Sequence, residues 1–214
     1  MDAVSLKAAM ARVSDVITNN RDYLILLDQQ NGDGDLGISM SDGFRAVTGY
    51  LDTAEEIDLG RLFAQMAGVF NEKAPSSLGT ILSFGMMAMA RRFKGQDTAS
   101  LNEVADALQA GITNIMEKAG SKPGEKTVLD SLCPAVAALQ EKCPEGATSA
   151  FRAAAEAAAH GSESTRNMIS KHGRAAYYGE KSIGVLDGGS VVGKLIFEAV
   201  SEHIDSISQP CSSG

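Results

Sequence analysis

Three aspartates, Asp28, Asp33 and Asp35, stand close together around the glycine-rich stretch NGDGDLGIS at 31–39. Carboxylates at such short spacing repel one another unless a cation lies between them. A hard divalent cation prefers oxygen ligands, and carboxylates at alternate positions of a tight loop supply them. We therefore interpret the three aspartates as candidate ligands of a divalent metal.

The same stretch also predicts a site for an anion. Gly37 leads directly into a predicted helix, and the first N–H groups of a helix have no intrahelical acceptors and suit a phosphate. Gly32 and Gly34 permit positive φ angles and a close approach of the backbone. Metal ligands beside the start of a helix are what a metal–nucleotide site requires.

Two other interpretations of the acidic stretch stay open at this point. The first is an Asp/Gly-rich turn with solvated carboxylates and no metal. The second is a calcium loop, because Asn31, Asp33 and Asp35 occupy positions 1, 3 and 5 of an EF-hand register. Leu36 then stands where that loop needs Gly, and Asp42 stands where it normally has Glu, so the EF-hand pattern is incomplete.

A second informative stretch is GRAAYYGEKSIGVLDGGS at 173–190. Arg174 can neutralise phosphate oxygens, and the Asp-Gly-Gly turn at 187–189 allows the backbone to approach a ligand closely. Taken alone, Arg174 is equally typical of a surface salt bridge, and the two tyrosines are typical of packing. The stretch becomes a candidate site only together with the acidic turn.

The segments that must position these loops show helical periodicity almost throughout, and strand patterns are nearly absent. One helix is expected to begin at Ser39 or Ser41, and the apolar segment 77–93 is expected to be central to the core. The segment 100–120 opens with a capping box, Ser100 with Glu103, and closes on Gly120. We predict one all-α domain over 1–214 with about eight or nine helices. We expect its short Gly-rich loops to gather at one end and form a site, namely 31–39, 71–80, 119–127 and 173–190.

Composition narrows the function classes. At 44% hydrophobic and 21% charged residues, the chain can bury a core, and its net charge of -8 argues against a nucleic-acid binder. No apolar run approaches the roughly 20 residues of a membrane span. Cys133, Cys143 and Cys211 lack metal-binding spacing and fit reduced thiols. We expect a cytoplasmic protein that binds neither nucleic acid nor membrane.

Three motifs, taken in order and spacing, resemble one family. They are LD…GDGDLG at 27–37, SKPGEKTVLD at 121–130 and GRAAYYGEKSIGVLDGGS at 173–190. They are similar to the ADP-binding L subunit of dihydroxyacetone kinases and to the equivalent C-terminal domain of single-chain ATP-dependent kinases. The likeness runs from about residue 22 to 200. It implies a closed barrel of about eight antiparallel helices with a nucleotide site at one end. Leu36 departs from the family pattern, which has His at this position.

The resemblance also implies which residues act. Asp28, Asp33 and Asp35 would hold two Mg²⁺ ions that clamp the phosphates of ADP or ATP, and no residue of this chain would act as a nucleophile. The residues implied to contact the nucleotide are Leu36, Gly37, Ile38, Ser39, Ser76, Ser77, Ala119, Val128, Arg174, Asp187, Gly188 and Gly189.

The resemblance implies a function that requires partners. The chain would pass a phosphoryl group to a ketose, dihydroxyacetone or a related sugar, held on a separate K subunit. In phosphotransferase-system versions an M subunit rephosphorylates the bound ADP, and a homodimer is left open. The alternative is a non-catalytic regulatory or interaction protein that retains the Mg–nucleotide site.

Overall fold

The structure is a computed structural model that describes residues 1–208. Within these residues the chain forms nine α-helices and no β-strand, so the predicted all-α class is confirmed. Cys211 lies outside the described residues. Three short 3-10 helices cover Cys143–Glu145, Thr165–Asn167 and Arg174–Ser182. The α-helices are α1 (Ala3–Asn19), α2 (Arg21–Asp28), α3 (Leu36–Thr53), α4 (Leu59–Lys73), α5 (Ser77–Arg92), α6 (Leu101–Ala119), α7 (Leu129–Lys142), α8 (Ala147–Ser164) and α9 (Gly188–Ser208).

Eight of these helices pack in a ring in which each helix contacts two neighbours. Helix α1 contacts α3, each helix from α3 to α8 contacts the next one along the chain, and α9 contacts both α8 and α1. The short helix α2 packs mainly on α3. Four loops border one cavity. At these loops α2, α4, α6 and α8 end, and α3, α5, α7 and α9 begin. Neighbours in the ring therefore run in opposite directions, with all four of these loops at one end.

The interior of the ring is filled by apolar side chains from every helix of the ring. Two aromatic pairs lie within it: the rings of Phe44 and Phe70 lie 4.8 Å apart, and those of Phe63 and Phe93 lie 5.2 Å apart. Edge-to-face and tilted pairs at these distances add to the free energy gained from burial. The core thus ties α3 to α4, and α4 to the end of α5.

Two predictions about individual helices are wrong. Helix α3 begins at Leu36 rather than after Ser39 or Ser41, because the carbonyl of Asp35 already accepts the N–H of Ser39 at 2.9 Å. The two serine hydroxyls instead donate to carbonyls one turn earlier. The segment 77–93 is not central: it forms a ring helix that buries one face and leaves Met87 38% exposed.

The predicted start and end of α6 are confirmed. Ser100 accepts the N–H of Glu103, whose carboxylate accepts the N–H of Ser100 in return, and Gly120 ends the helix with a positive φ of 61°. No helix within residues 1–208 combines the length and the apolar character that crossing a bilayer requires.

Candidate functional site

A cavity of about 660 Å³ opens at the end of the barrel where the Gly-rich loops gather. Its wall includes residues from the starts of α3, α5 and α9 and from the loop that precedes α7. A helix start carries free N–H groups and the positive end of the helix dipole. Several helix starts around one cavity therefore favour an anionic ligand.

The acidic turn connects α2 to α3 at the rim of this cavity. Asp28 ends α2, Asp35 precedes the first residue of α3, and one carboxylate oxygen from each of Asp28, Asp33 and Asp35 lies within 4.8 Å of the other two. The sequence-based prediction that these three side chains converge is confirmed by this geometry. Whether they bind metal stays a prediction.

Two glycines make the turn tight enough for this convergence. The N–H of Gly32 donates to the carbonyl of Asp28 at 2.6 Å, and a Cβ at Gly32 would lie 2.3 Å from the Asp28 carboxylate. Gly34 has a φ of 79°, and its N–H donates to Asp28 Oδ2 at 2.8 Å. Any side chain at these positions would displace the Asp28 carboxylate or strain the backbone.

The carboxylates of the turn carry more negative charge than their surroundings neutralise. Burial raises the pKa of Asp35, and the charges of Asp33 and Asp28 raise it further. Arg174 is the cation at this point, with its Nη2 2.9 Å from Asp33 Oδ2, but its side chain is 70% exposed. Three carboxylates facing one exposed guanidinium form an all-oxygen donor set that fits a hard divalent cation.

The EF-hand interpretation is wrong. An EF-hand loop makes a sharp turn at its sixth position, normally Gly, and uses the backbone carbonyl of its seventh position as a ligand. Here the register that starts at Asn31 places these positions at Leu36 and Gly37, where α3 already begins. Asp42, the last position of the register, is not among the carboxylates that converge in the acidic turn.

The second loop places two serines at the start of α5. Ser76 caps this helix, with its Oγ accepting the N–H of Gly79 at 3.1 Å, and Ser77 is the first helical residue. Both line the cavity, together with Pro75 and Thr80, which the sequence did not single out. The small side chains leave the first turn of α5 accessible from the cavity.

The third loop joins α6 to α7 and is organised by Asp130. This buried carboxylate accepts the N–H of Gly124 at 2.6 Å with Oδ1 and the N–H of Thr127 at 2.7 Å with Oδ2. Ala119 and Val128, at the two ends of the loop, line the cavity, and their contact with a nucleotide stays a prediction. Asp130 thus fixes the wall on this side of the site.

The fourth loop ends in the Asp-Gly-Gly turn. Asp187 Oδ2 accepts the N–H of Ser190 at 2.6 Å and so caps α9. Burial raises the pKa of Asp187 to about 7. A Cβ at Gly188 would lie 2.5 Å from Leu36 Cδ2, so the start of α9 packs closely on the start of α3. Asp187, Gly188 and Gly189 all border the cavity.

All the residues predicted to contact nucleotide line the cavity except Gly37, Ile38 and Ser39. Gly37 packs α3 against α2, because a Cβ there would lie 2.1 Å from the carbonyl oxygen of Arg21. Ile38 is 42% exposed, and Ser39 is buried with its hydroxyl on the carbonyl of Leu36. Backbone contacts of these three residues with a nucleotide stay a prediction.

Sequence reasoning missed several residues of the cavity wall. Lys126 is buried there and donates to backbone carbonyls, and His172 pairs with Glu125 at 2.6 Å. Ser170 has a buried hydroxyl that finds no hydrogen-bond partner among residues 1–208. Lys126 lies in the motif SKPGEKTVLD at 121–130, but nothing in the sequence indicates that this lysine turns inward. Its partners lie more than 40 positions further along the chain.

The chain is similar to known kinases and kinase subunits. A model of the DAK2 domain matches residues 30–202. The ADP-binding subunit DhaL of PEP-dependent dihydroxyacetone kinase 2 from Listeria innocua is 28% identical over 207 residues, which cover 95% of this chain and 96% of that protein. The L-erythrulose 1-kinase of Mycolicibacterium smegmatis is 29% identical over 94% of this chain, which spans only 36% of that enzyme. The crystal structure of the C. freundii dihydroxyacetone kinase with AMP-PNP and Mg²⁺ superposes with a TM-score of 0.75 at 24% identity, covering 94% of this chain and 34% of that one, and it shows the same fold.

Proposed function

The chain belongs to the DAK2 domain family, and we propose that it is the nucleotide-binding subunit of a kinase that phosphorylates dihydroxyacetone or a related short ketose. The observation that carries this proposal is the convergence of Asp28, Asp33 and Asp35 at the rim of a cavity bordered by helix starts. The Listeria relative, which this chain matches almost end to end, is an ADP-binding subunit of such a kinase.

The acidic turn would hold Mg²⁺, and we propose two ions shared among Asp28, Asp33 and Asp35. Such ions would neutralise the negative charge of the phosphates during phosphoryl transfer. Free N–H groups at the starts of α3 and α5 would donate to phosphate oxygens. Arg174 would exchange its contact with Asp33 for a phosphate oxygen, which a guanidinium can bind with two parallel hydrogen bonds.

This chemistry needs no nucleophile from the chain. Phosphoryl transfer is accelerated chiefly by positioning and charge neutralisation. His172, the histidine at the cavity, is engaged with Glu125. Ala119 and Val128 would border the base and ribose of ADP or ATP, away from the acidic turn. The reaction therefore depends on how firmly this chain holds the phosphates.

The acceptor would be supplied by a partner. We propose a ketose-binding K subunit that docks over the open cavity, and, if the kinase draws its phosphate from a phosphotransferase system, an M subunit that rephosphorylates ADP in place. Cys133 and Cys143 are free thiols, which fits the reducing cytoplasm. Native mass spectrometry would also reveal whether the chain forms a homodimer.

The proposal is tested by native mass spectrometry of protein purified without added nucleotide. We expect a mass excess equal to ADP and two Mg²⁺ ions, and its loss in Asp33→Asn. A single ion would correct the metal count alone. A chain that stays bare after addition of Mg²⁺ with ADP or ATP would refute the nucleotide-binding function.

A second experiment separates a kinase subunit from a regulatory protein that only binds nucleotide. The chain is combined with its K-type partner, a ketose and a phosphate source, and phosphorylated ketose is measured. Product that depends on this chain supports the kinase, whereas a tight complex without turnover supports the regulatory alternative.

A further inference from the structure

Lys126 is a buried cation that the proposed chemistry does not use. The residue is only 4% exposed and has a φ of 62°, a left-handed conformation that side-chain-bearing residues rarely adopt. Among the described residues, no carboxylate lies within 4.0 Å of its ammonium group. A buried ammonium group that no carboxylate contacts is costly, so its hydrogen bonds must compensate for its lost hydration.

The ammonium of Lys126 is satisfied by three backbone carbonyls. Its Nζ donates to the carbonyl of Met168 at 3.2 Å, of Ser182 at 2.5 Å and of Val185 at 2.7 Å. A lysine has three N–H donors, so all of them are used. This leaves no donor of Lys126 free for a phosphate.

These carbonyls belong to residues 168–185, which we call the Arg174 segment. Met168 lies before Arg174, whereas Ser182 and Val185 lie after it, so one ammonium ties together the two ends of the segment. Ser182 Oγ reinforces this closure by accepting the N–H of Ser170 at 3.0 Å. The Arg174 segment is therefore a loop closed at its base by Lys126.

Arg174 itself has little support of its own. Its side chain is 70% exposed, and its ionic contact is the one with Asp33 across the cavity. An exposed ion pair contributes little to holding a loop in place. Additional contacts come from the residue before Lys126: Glu125 accepts from His172 and its carbonyl accepts the N–H of Lys171 at 3.3 Å. The position of Arg174 thus depends on the anchor formed by loop 121–128.

We propose that Lys126 is a positioning residue for nucleotide retention. By gathering three carbonyls at the base of the Arg174 segment, it fixes the place from which Arg174 reaches the acidic turn and the phosphates. This inference rests on the proposed function, because it assumes that a nucleotide occupies the cavity.

The test compares Lys126→Met with Lys122→Met, an exposed lysine of the same loop that undergoes the same change of side chain and charge. We expect ADP to dissociate at least about tenfold faster from Lys126→Met in Mg²⁺ and to dissociate at the wild-type rate from Lys122→Met. Arg174→Ala should accelerate release from the wild type but add little in the Lys126→Met background, since Lys126 acts through Arg174. A loss of stability alone would not produce this dependence on Arg174.

ADP release from Lys126→Met at the wild-type rate would overturn the inference. So would a double variant in which the accelerations caused by Lys126→Met and Arg174→Ala multiply in full. If Lys126→Met does not fold, Lys126→Gln, which keeps two N–H donors, replaces it. Hydrogen exchange of the nucleotide-free protein gives an independent result: amides of 168–185 should exchange faster in Lys126→Met and not in Lys122→Met. If the wild type binds no nucleotide, the proposed function fails, and this exchange experiment alone decides whether Lys126 anchors the segment.

Discussion

At the end of the helix ring away from the cavity, acidic and hydroxyl side chains cap α1, α4 and α6. Asp2 accepts the N–H of Ser5 at the start of α1, and Ser100 caps α6. Asp58 accepts the N–H of Arg61 at 2.8 Å with Oδ1 and the N–H of Gly95 at 2.8 Å with Oδ2. These side chains satisfy the backbone donors of their own fold.

At the cavity end Ser76 and Asp187 cap α5 and α9 in the same way, but the carboxylates of the acidic turn are arranged differently. Asp35 occupies the capping position of α3 but accepts no N–H from the first turn of that helix. Its carboxylate instead lies among those of Asp28 and Asp33, where it raises the local negative charge. Asp2 and Asp58 therefore stabilise the helices that they cap, whereas the three carboxylates of the acidic turn face one another at a cost in stability. That difference is typical of a binding site on a rigid scaffold.

The largest expected effect is the loss of nucleotide binding in Asp35→Asn. The change removes a negative charge from the metal-binding set while Asn remains a good capping residue. We expect ADP affinity in Mg²⁺ to fall at least about 100-fold, or roughly 2.7 kcal/mol. The nucleotide-free variant should melt at the same temperature or higher, because repulsion is relieved. Calorimetric titration and thermal melting measure the two effects.

Asp42→Asn is the matched control for this charge change. Asp42 lies in the helix that Asp35 precedes, is exposed and does not border the cavity. We expect wild-type affinity in this variant. Equal losses in both variants would mean that overall charge, rather than the acidic turn, controls binding, and the contrast between the two ends would lose its basis.

Gly37→Ala tests whether this glycine at the cavity end has a role in packing that is separate from nucleotide binding. The added methyl group would lie 2.1 Å from the carbonyl oxygen of Arg21, so α2 and α3 would have to move apart. We expect the free energy of unfolding to fall by about 2 kcal/mol, within the range for overpacked positions. Urea denaturation of the nucleotide-free protein measures it.

Gly49→Ala provides the control within α3. An added methyl group at Gly49 would meet no other atom within 4 Å, so Ala should stabilise the helix by about 0.5–1 kcal/mol. A Gly37→Ala protein as stable as the wild type would contradict the packing role assigned to Gly37.

Asp58→Ala is the corresponding change at the opposite end. It removes the side-chain cap of α4 and the bond to Gly95, so we expect a loss of about 1 kcal/mol in unfolding free energy. ADP affinity of the folded protein should be unchanged. A loss of affinity comparable with that of Asp35→Asn would show that the two ends are not functionally separate.

Sequence periodicity was sufficient to predict the fold class, and local chemistry was sufficient to predict the start and end of α6. The convergence of Asp28, Asp33 and Asp35 was also predictable, because the spacing in one tight turn places them together. The start of α3 was not, since Asp35, Ser39 and Ser41 are all acceptable capping residues. Leu36, the first residue of α3, is buried against the start of α9, a tertiary contact that the local sequence does not reveal.

The structural roles of Lys126 and Gly37 could not be predicted from the sequence, for a different reason. Each depends on a partner supplied by another element: carbonyls of the Arg174 segment in one case and the backbone of α2 in the other. A lysine in a Gly-Pro-rich loop is typical of the surface, and a glycine beside an aspartate triplet is typical of a binding loop. Tertiary packing instead buries Lys126 and gives Gly37 a role in packing α3 against α2.

The smallest expected effect concerns the pH dependence of stability at the cavity end. Burial raises the pKa of Asp187 from 3.8 to about 7 in the folded protein. Between these values the folded protein retains a proton that the unfolded chain has released, so the free energy of unfolding falls as pH rises and levels off above pH 7.

Asp187→Asn keeps an acceptor for the N–H of Ser190 but cannot titrate. Urea denaturation of nucleotide-free and Mg²⁺-free protein from pH 5 to 8 should therefore show a decline in the wild type that is steeper by on the order of 1 kcal/mol than in the variant. The difference between the two proteins removes the contribution of Asp35, whose raised pKa acts in the same direction. Parallel pH profiles would mean that Asp187 is already ionised in the folded protein at pH 5, and that this carboxylate resembles the satisfied caps of the opposite end.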